Sequence, residues 1–363
     1  HNLNGELMKE LKLMKGNEAL AEAAILAGCD GYFGYPITPQ SEILEYLTQD
    51  ARERTGMVVL QAESEVASIN MIYGAAGTGK KVMTSSSSPG ISLMQEGISY
   101  IACAELPCLL VNVVRGGPGL GTIQPSQGDY FQAVKGGGHG DYKLIVLAPS
   151  TVQEMVDHVK LGFDLAFKWR NPVMILTDGA LGQMMEKVQL PEQLPRSTEA
   201  PDWATVGKPK TRERNFITSL HMQPEQMQEV NLHLQRKYRD IEKEEIRFEK
   251  YDCDDAEIIL VSFGLVARIC QKAAQLAREK GIKVGVFRPI TVFPYPYDEL
   301  SRLADQVKGF LTVEMNAGQM VEDVRLAVNG KIPVEFLGRM GGIVPTPEEI
   351  LQKLEEKFVG EKV

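Results

Sequence analysis

Apolar runs of buried-strand length, separated by segments of helical spacing, constrain this chain more than any other feature. Cys108–Val114, Leu144–Ala148 and Pro172–Thr177 are almost continuously apolar. Between the last two, Thr151–Trp169 repeats apolar residues at helical intervals. Strands that are apolar on both faces need cover on both, and alternation with helices implies crossover connections. Further strands are predicted over 30–34, 57–61 and 81–85, and helices over 18–27, 41–47, 65–77 and 92–104. Residues 8–190 are therefore expected to form one α/β unit with a parallel sheet.

A second α/β unit is expected over 256–363, with strands at 258–263, 284–287, 310–313 and 334–337. Its helices are predicted over 266–280, ending at Gly281, and over 346–357, opening on Thr-Pro-Glu-Glu. Residues 191–255 differ in character. They open with Pro191, Pro195 and Pro201 and end in 235–250, dense in charges of both signs. The segment reads as a linker carrying an exposed charged helix, either a solvated face or a surface for a partner.

Composition excludes some functions. With 363 residues, 44% hydrophobic and 24% charged, the chain has the makeup of an ordinary globular protein long enough for two domains. A net charge of -9 argues against a nucleic-acid partner. Cys29, Cys103, Cys108, Cys253 and Cys270 make no CxxC pair, so neither a zinc site nor a cluster-binding motif is expected, and no metal ligand is assigned. Scattered cysteines suit a cytoplasmic location, and no run of about 18 apolar residues suggests a membrane span. The chain opens without a signal-peptide pattern, and His1–Asn2 are expected to be a cloning remnant.

Several segments could carry chemistry. Tyr35-Pro36-Ile37-Thr38-Pro39-Gln40-Ser41-Glu42 places a stiff, hydroxyl-bearing loop between a predicted strand and helix, where open α/β sheets receive ligands. A Pro-capped turn would look the same. Glu63-Ser64-Glu65 puts carboxylates where a strand yields to a helix. They suit either a dipole-stabilised helix start or a buried carboxylate bonded to a heterocycle nitrogen. Thr84–Gly90 gathers four serines before Pro89 and Gly90, a surface for close approach at a helix start. Arg115 follows a buried strand and precedes a Gly-rich loop, a setting for bidentate capture of a carboxylate or for a surface ion pair. Gly74–Lys81 nearly matches the phosphate-binding loop pattern, but Lys81 replaces its hydroxyl and the helix precedes rather than follows.

Taken in order, Tyr35–Glu42, Gln61–Glu65, Ser88–Gly97, Arg115–Gly119 and Gln124–Asp129 strongly resemble the α subunit of 2-oxoacid:ferredoxin oxidoreductases. The resemblance covers essentially the whole chain. It is nearest to the branched-chain members, acting on 3-methyl-2-oxobutanoate, because Ser85-Ser86-Ser87-Ser88-Pro89-Gly90 stands where 2-oxoglutarate-type relatives more often read Thr-Ser-Gly-Pro-Gly. The implied fold is a thiamine-diphosphate-enzyme pyrimidine-type parallel-sheet domain followed by a transketolase C-terminal-like α/β domain. The implied cofactor is thiamine diphosphate, shared with a partner subunit. Glu65 would hydrogen-bond the aminopyrimidine, while Thr38 and Arg115 would hold the 2-oxoacid. Tyr35 and Pro36 would line the pocket with Ser88, Pro89 and Gly90.

No Gly-Asp-Gly start of a diphosphate-Mg²⁺ motif occurs in this sequence. The resemblance therefore implies a β subunit carrying that site, with γ and ferredoxin-like δ subunits bringing iron–sulfur clusters. Coenzyme A, ferredoxin and the 2-oxoacid are the implied partners, and the chain alone is expected to be inactive. The alternatives are a 2-oxoglutarate or indolepyruvate member, a nucleotide-binding module at 74–81, and a purely structural subunit.

Overall fold

The computed structural model of the chain describes residues 10–360. The opening dipeptide, the first two residues of the expected 8–190 unit and the end of the 256–363 unit lie outside the described residues. The first unit contains β1 (Leu11–Lys15), β2 (Gly31–Gly34), β3 (Val58–Gln61), β4 (Val82–Ser86), β5 (Cys108–Val114), β6 (Ile145–Leu147), β7 (Pro172–Asp178) and β8 (Met185–Gln189). Helices α1 (Gly16–Leu26), α2 (Ser41–Thr55), α3 (Glu65–Ala76) and α4 (Ser88–Cys103) alternate with them, and Val152–Trp169 covers the sheet further on. The order β6-β7-β5-β4-β2-β3 is parallel throughout. β4, β5, β6 and β7 are buried along their whole length, as the apolar runs of β5, β6 and β7 require, while β4 buries Thr84, Ser85 and Ser86.

The strand order positions the site. From β2 the chain passes to β3 on one side, then returns to β4 on the other. Loops leaving β2 and β4 therefore diverge at the carboxyl edge, opening a crevice of the kind that binds ligands in such sheets. α4 begins four residues earlier than its predicted start at 92. Pro89 sits in its first turn, where a missing N–H removes no helical bond.

The second unit contains β9 (Phe248–Tyr251), β10 (Ile258–Val261), β11 (Val284–Pro289), β12 (Thr291–Phe293), β13 (Gly309–Glu314) and β14 (Val334–Gly338). Its sheet runs β14-β13-β10-β11-β9, parallel except for β9. β9 comes from the stretch read as linker. β12 leaves this sheet and pairs antiparallel with β6, extending the first sheet to seven strands. The charged helix, expected to lie exposed near 235–250, is Pro224–Glu244 and docks on the first unit. It buries Leu234, Tyr238 and Ile241, and Lys237 reaches Glu105 at 3.1 Å.

One continuous apolar core runs from α1 through β5 and β7 to Phe263, Phe287 and Phe310, so the two units share an interior. Buried Gln127 pins the boundary. Its amide N–H donates to the Met315 carbonyl (2.9 Å), Met315 N–H donates to Gln127 Oε1 (3.0 Å), and Nε2 donates to the Phe263 carbonyl (2.8 Å). Among the described residues no helix is long and apolar enough to cross a membrane, and no His/Cys/Asp/Glu cluster could hold a metal ion.

Candidate active site

Glu65 opens α3. The Ser64 hydroxyl accepts from Ala67 N–H at 3.2 Å and caps that helix, which frees the Glu65 carboxylate from a capping role. Glu65 is only 7% exposed, and no donor among the described residues reaches its carboxylate. Glu63, the other candidate, is exposed and accepts only from Ser64 Oγ at 3.3 Å.

α4 supplies the opposing wall. A Cβ placed on Gly90 would lie 2.9 Å from Glu65 Oε1 and 2.0 Å from Ser86 Oγ, so only glycine lets the two helix starts approach this closely. The hydroxyls of Ser68, Thr84, Ser86 and Ser87 are buried without a hydrogen-bond partner. Buried polar atoms ordinarily find partners. Of these hydroxyls, Ser86 Oγ is the one that an added Gly90 Cβ would meet together with Glu65 Oε1, so an unbonded hydroxyl and an unbonded carboxylate flank Gly90.

Thr38 and Arg115 are brought together at the neighbouring loop. Arg115 Nη1 donates to the Thr38 carbonyl at 3.1 Å and Nη2 to the Leu120 carbonyl at 2.8 Å. Its Nε is buried and unpartnered. The exposed Thr38 hydroxyl has no hydrogen bond among the described residues. Ser88, half-buried in the first turn of α4, donates from Oγ to the Arg115 carbonyl (3.2 Å) and accepts from Arg115 N–H (3.1 Å). Pro89 is half-buried beside it. Tyr35 is half-buried and Pro36 exposed, both on the loop that leaves β2.

Asn112 is a supporting residue that motif reading missed. It accepts from Ser88 N–H at 3.2 Å and donates to Asp129 Oδ2 at 2.9 Å. Burial pushes the Asp129 carboxyl above its ordinary range, while hydrogen bonds from Ser88 and Asn112 draw it back. A lone amide inside the apolar run Cys108–Val114 was the available signal.

The glycine stretch 74–81 lies elsewhere. It closes α3 and leads into β4 at the amino edge of the sheet, opposite the crevice. Lys80 Nζ donates to the Ser197 carbonyl at 3.0 Å, and a Cβ on Gly79 would strike Pro201 at 2.4 Å. A packed loop whose lysine is turned onto a backbone carbonyl cannot cradle a phosphate, which corrects the nucleotide-binding alternative.

The match of the first unit to a family model puts the chain in a thiamine diphosphate-binding class of protein. Residues 22–252 match the thiamine diphosphate-binding domain of pyruvate flavodoxin/ferredoxin oxidoreductases, and residues 256–350 match core domain II of pyruvate:ferredoxin oxidoreductase. The chain belongs to the 2-oxoacid:ferredoxin oxidoreductase family. It is 50% identical over 345 residues to ketoisovalerate oxidoreductase subunit VorB of Methanothermobacter thermautotrophicus, covering 95% of this chain and 97% of the relative. It is 37% identical over 364 residues to 2-oxoglutarate synthase subunit KorA of Methanocaldococcus jannaschii, covering 94% and 98%. The solved 2-oxoglutarate:ferredoxin oxidoreductase from Magnetococcus marinus superimposes with a TM-score of 0.84 at 26% identity, over 96% of this chain and 65% of that one. A split-gene transketolase shares the fold, with a TM-score of 0.59 at 13% identity over 96% and 99% of the two chains.

Proposed function

We propose that this chain is the subunit of a branched-chain 2-oxoacid:ferredoxin oxidoreductase that oxidatively decarboxylates 3-methyl-2-oxobutanoate to an acyl-CoA. The observation that carries the cofactor arm is the buried, unbonded Glu65 carboxylate beside Gly90, where an added Cβ would meet both it and the orphaned Ser86 hydroxyl. The substrate arm rests on near-full-length similarity to ketoisovalerate oxidoreductase subunits, at 50% and 49% identity, against 37% or less for 2-oxoglutarate synthase subunits.

These residues fit the aminopyrimidine end of thiamine diphosphate. That cofactor, when bound, supplies the carbanion-stabilising centre at which a 2-oxoacid loses CO₂. Glu65 would exchange a proton with a ring nitrogen from a site that excludes water. Gly90 would let the start of α4 close against that carboxylate, and Ser86 and Ser87 would offer the ring hydroxyls. Arg115 retains one hydrogen on each Nη for a substrate carboxylate, with Thr38 donating to the carbonyl. Tyr35 and Pro36 would close the outer wall.

The reading assigns diphosphate, Mg²⁺ and iron–sulfur clusters to separate β, γ and δ subunits. An apolar surface suits such a partner. Edge strand β3 exposes Val58 and Leu60, the first turn of α3 exposes Val66, and the loop after β5 exposes Leu120 at 81%. A cytoplasmic location accompanies the reading: all five cysteines are free thiols, and burial pushes Cys29, Cys108 and Cys270 up to about 12.

The test is anaerobic co-purification of the chain with its native partners, followed by coenzyme A-dependent viologen reduction. 3-Methyl-2-oxobutanoate should lead 2-oxoglutarate and pyruvate in kcat/KM. A 2-oxoglutarate preference would move the chain to the other branch. An iron-free, inactive chain from a host that shows the activity would end the proposal.

A further inference from the structure

The loop that carries Tyr35 and Thr38 holds almost none of its own shape. Pro36 and Pro39 have no N–H to give. Four of its five carbonyls are gripped from outside or from its end. Gln40 Nε2 donates to Tyr35 O at 3.0 Å, Gln40 N–H to Ile37 O at 2.9 Å, Arg115 Nη1 to Thr38 O at 3.1 Å and Asn17 Nδ2 to Pro39 O at 2.7 Å.

Two of these donors, Gln40 and Asn17, are fully buried. Gln40 is itself oriented by a relay. Ser85 Oγ donates to Gln40 Oε1 at 2.6 Å, which requires Tyr32 OH to donate to Ser85 Oγ, also at 2.6 Å. The relay makes Gln40 present its NH₂ group to Tyr35. Asn17 spends its second hydrogen on Glu42 Oε2 at 2.9 Å, tying the loop's end to the first turn of α2.

We propose that Gln40 and Asn17 are positioning residues for substrate binding. They fix the backbone of 35–39 so that the free Thr38 hydroxyl and the Arg115 fork meet one 2-oxoacid. The inference rests on the proposed function, and it separates the loop from the cofactor wall. Glu65, Ser86 and Gly90 stand on α3, β4 and α4 and take no hydrogen bond from Gln40 or Asn17.

The experiment uses the assembled complex carrying Gln40→Met, Ser85→Ala, Asn17→Leu or Tyr32→Phe, with 3-methyl-2-oxobutanoate as substrate. Gln40→Met and Asn17→Leu should each raise the KM for the 2-oxoacid about tenfold or more with a smaller change in kcat, the pattern of lost binding alignment. Half-saturation by added thiamine diphosphate should stay within about twofold, since Glu65, Ser86 and Gly90 keep their contacts. Ser85→Ala, which frees one end of Gln40, should give an intermediate KM and serves if Gln40→Met fails to assemble. Tyr32→Phe, farthest along the relay, should give the smallest. A lower melting temperature with unchanged KM would overturn the inference, as would a cofactor requirement rising in step with KM. Failure of the functional reading shows separately, as a wild-type complex that turns over no 2-oxoacid.

Discussion

The Ser88 hydroxyl holds both backbone groups of Arg115, donating to its carbonyl at 3.2 Å and accepting from its N–H at 3.1 Å. This tie fastens the first turn of α4 to the end of β5, so the wall that faces Glu65 and the Arg115 loop share one anchor. Glycine at this position could make neither bond. Ser88→Ala should lower stability by about 1–3 kcal/mol, the range for unpaired buried groups. In the assembled complex it should raise the KM for the 2-oxoacid. Urea unfolding and steady-state kinetics check the two halves, and an unchanged KM would confine Ser88 to a structural role.

Glu65 and Gly90 predict a second pair of outcomes. Glu65→Gln keeps size and burial but removes the carboxylate proposed to exchange a proton. Turnover of the assembled complex should fall by about 10²–10⁴, the usual contribution of a general acid–base group, while the melting temperature holds. Gly90→Ala should act by displacement, because the new methyl overlaps Ser86 Oγ and crowds Glu65. A loss of about 10² is expected for a misplacement near 1 Å. Full turnover by Glu65→Gln would return the chain to a structural subunit.

Much of this was legible in the residues, and what was not has physical causes. β5 and β7 were visible because a strand covered on both faces has to be apolar along its length. The start of α4 was placed late because the serines and Pro89 look like a turn until Pro89 is seen to fit a first helical turn. β12 is three residues long, and its partner β6 is nearly 150 residues away, so no local pattern reports the pairing. β1 and β8 are likewise joined across most of the first unit. Glu65, Thr38 and Arg115 were singled out by the family resemblance, since residue type and context alone left Glu63, a Pro-capped turn and a surface ion pair open. The burial of Asn17 and Gln40 was not legible, because it depends on where α1 and β4 lie in space. Gly74–Lys81 already read against a phosphate loop because a helix precedes it and a strand follows, and its place at the junction of α3 and β4 agrees.

His158 predicts a pH dependence of stability. It lies buried on Val152–Trp169, and burial pushes its imidazole down from 6.5 to about 4. Glu154 pulls it upward, while Arg288 and Arg247 push it further down. A histidine held neutral in the fold but free to protonate when unfolded favours the fold in full above about pH 6.5. That contribution is lost as pH falls from there towards 4. Wild-type stability should drop by about 2 kcal/mol between pH 7 and pH 5 from this group. The drop should shrink by that amount in His158→Gln. Equal slopes for the two proteins, measured by urea unfolding, would show that His158 is not the group responsible.

Arg288 joins three segments through a fully buried guanidinium. Nη1 donates to Glu154 Oε2 at 2.7 Å and to Ser150 Oγ at 2.5 Å, and Nη2 donates to Glu154 Oε1 at 2.6 Å and to Glu249 Oε2 at 2.8 Å. Ser150 and Glu154 belong to the first unit, Glu249 to β9 and Arg288 to β11. Burial raises the Glu154 carboxyl, but the guanidinium overrides it and holds the group below its usual range. Arg288→Met would leave the partly buried Glu154 carboxylate without its cation, held only by the Ser150 N–H and hydroxyl, so a loss of up to about 3–5 kcal/mol is expected. The double variant Arg288→Met with Glu154→Leu removes that orphan and should recover most of the loss, because an apolar pair of similar volume is often as stable as a buried ion pair. Recovery measured by thermal unfolding would assign the junction's energetics to the unpaired charge. No recovery would assign them to the bonds that Ser150 and Glu249 also lose.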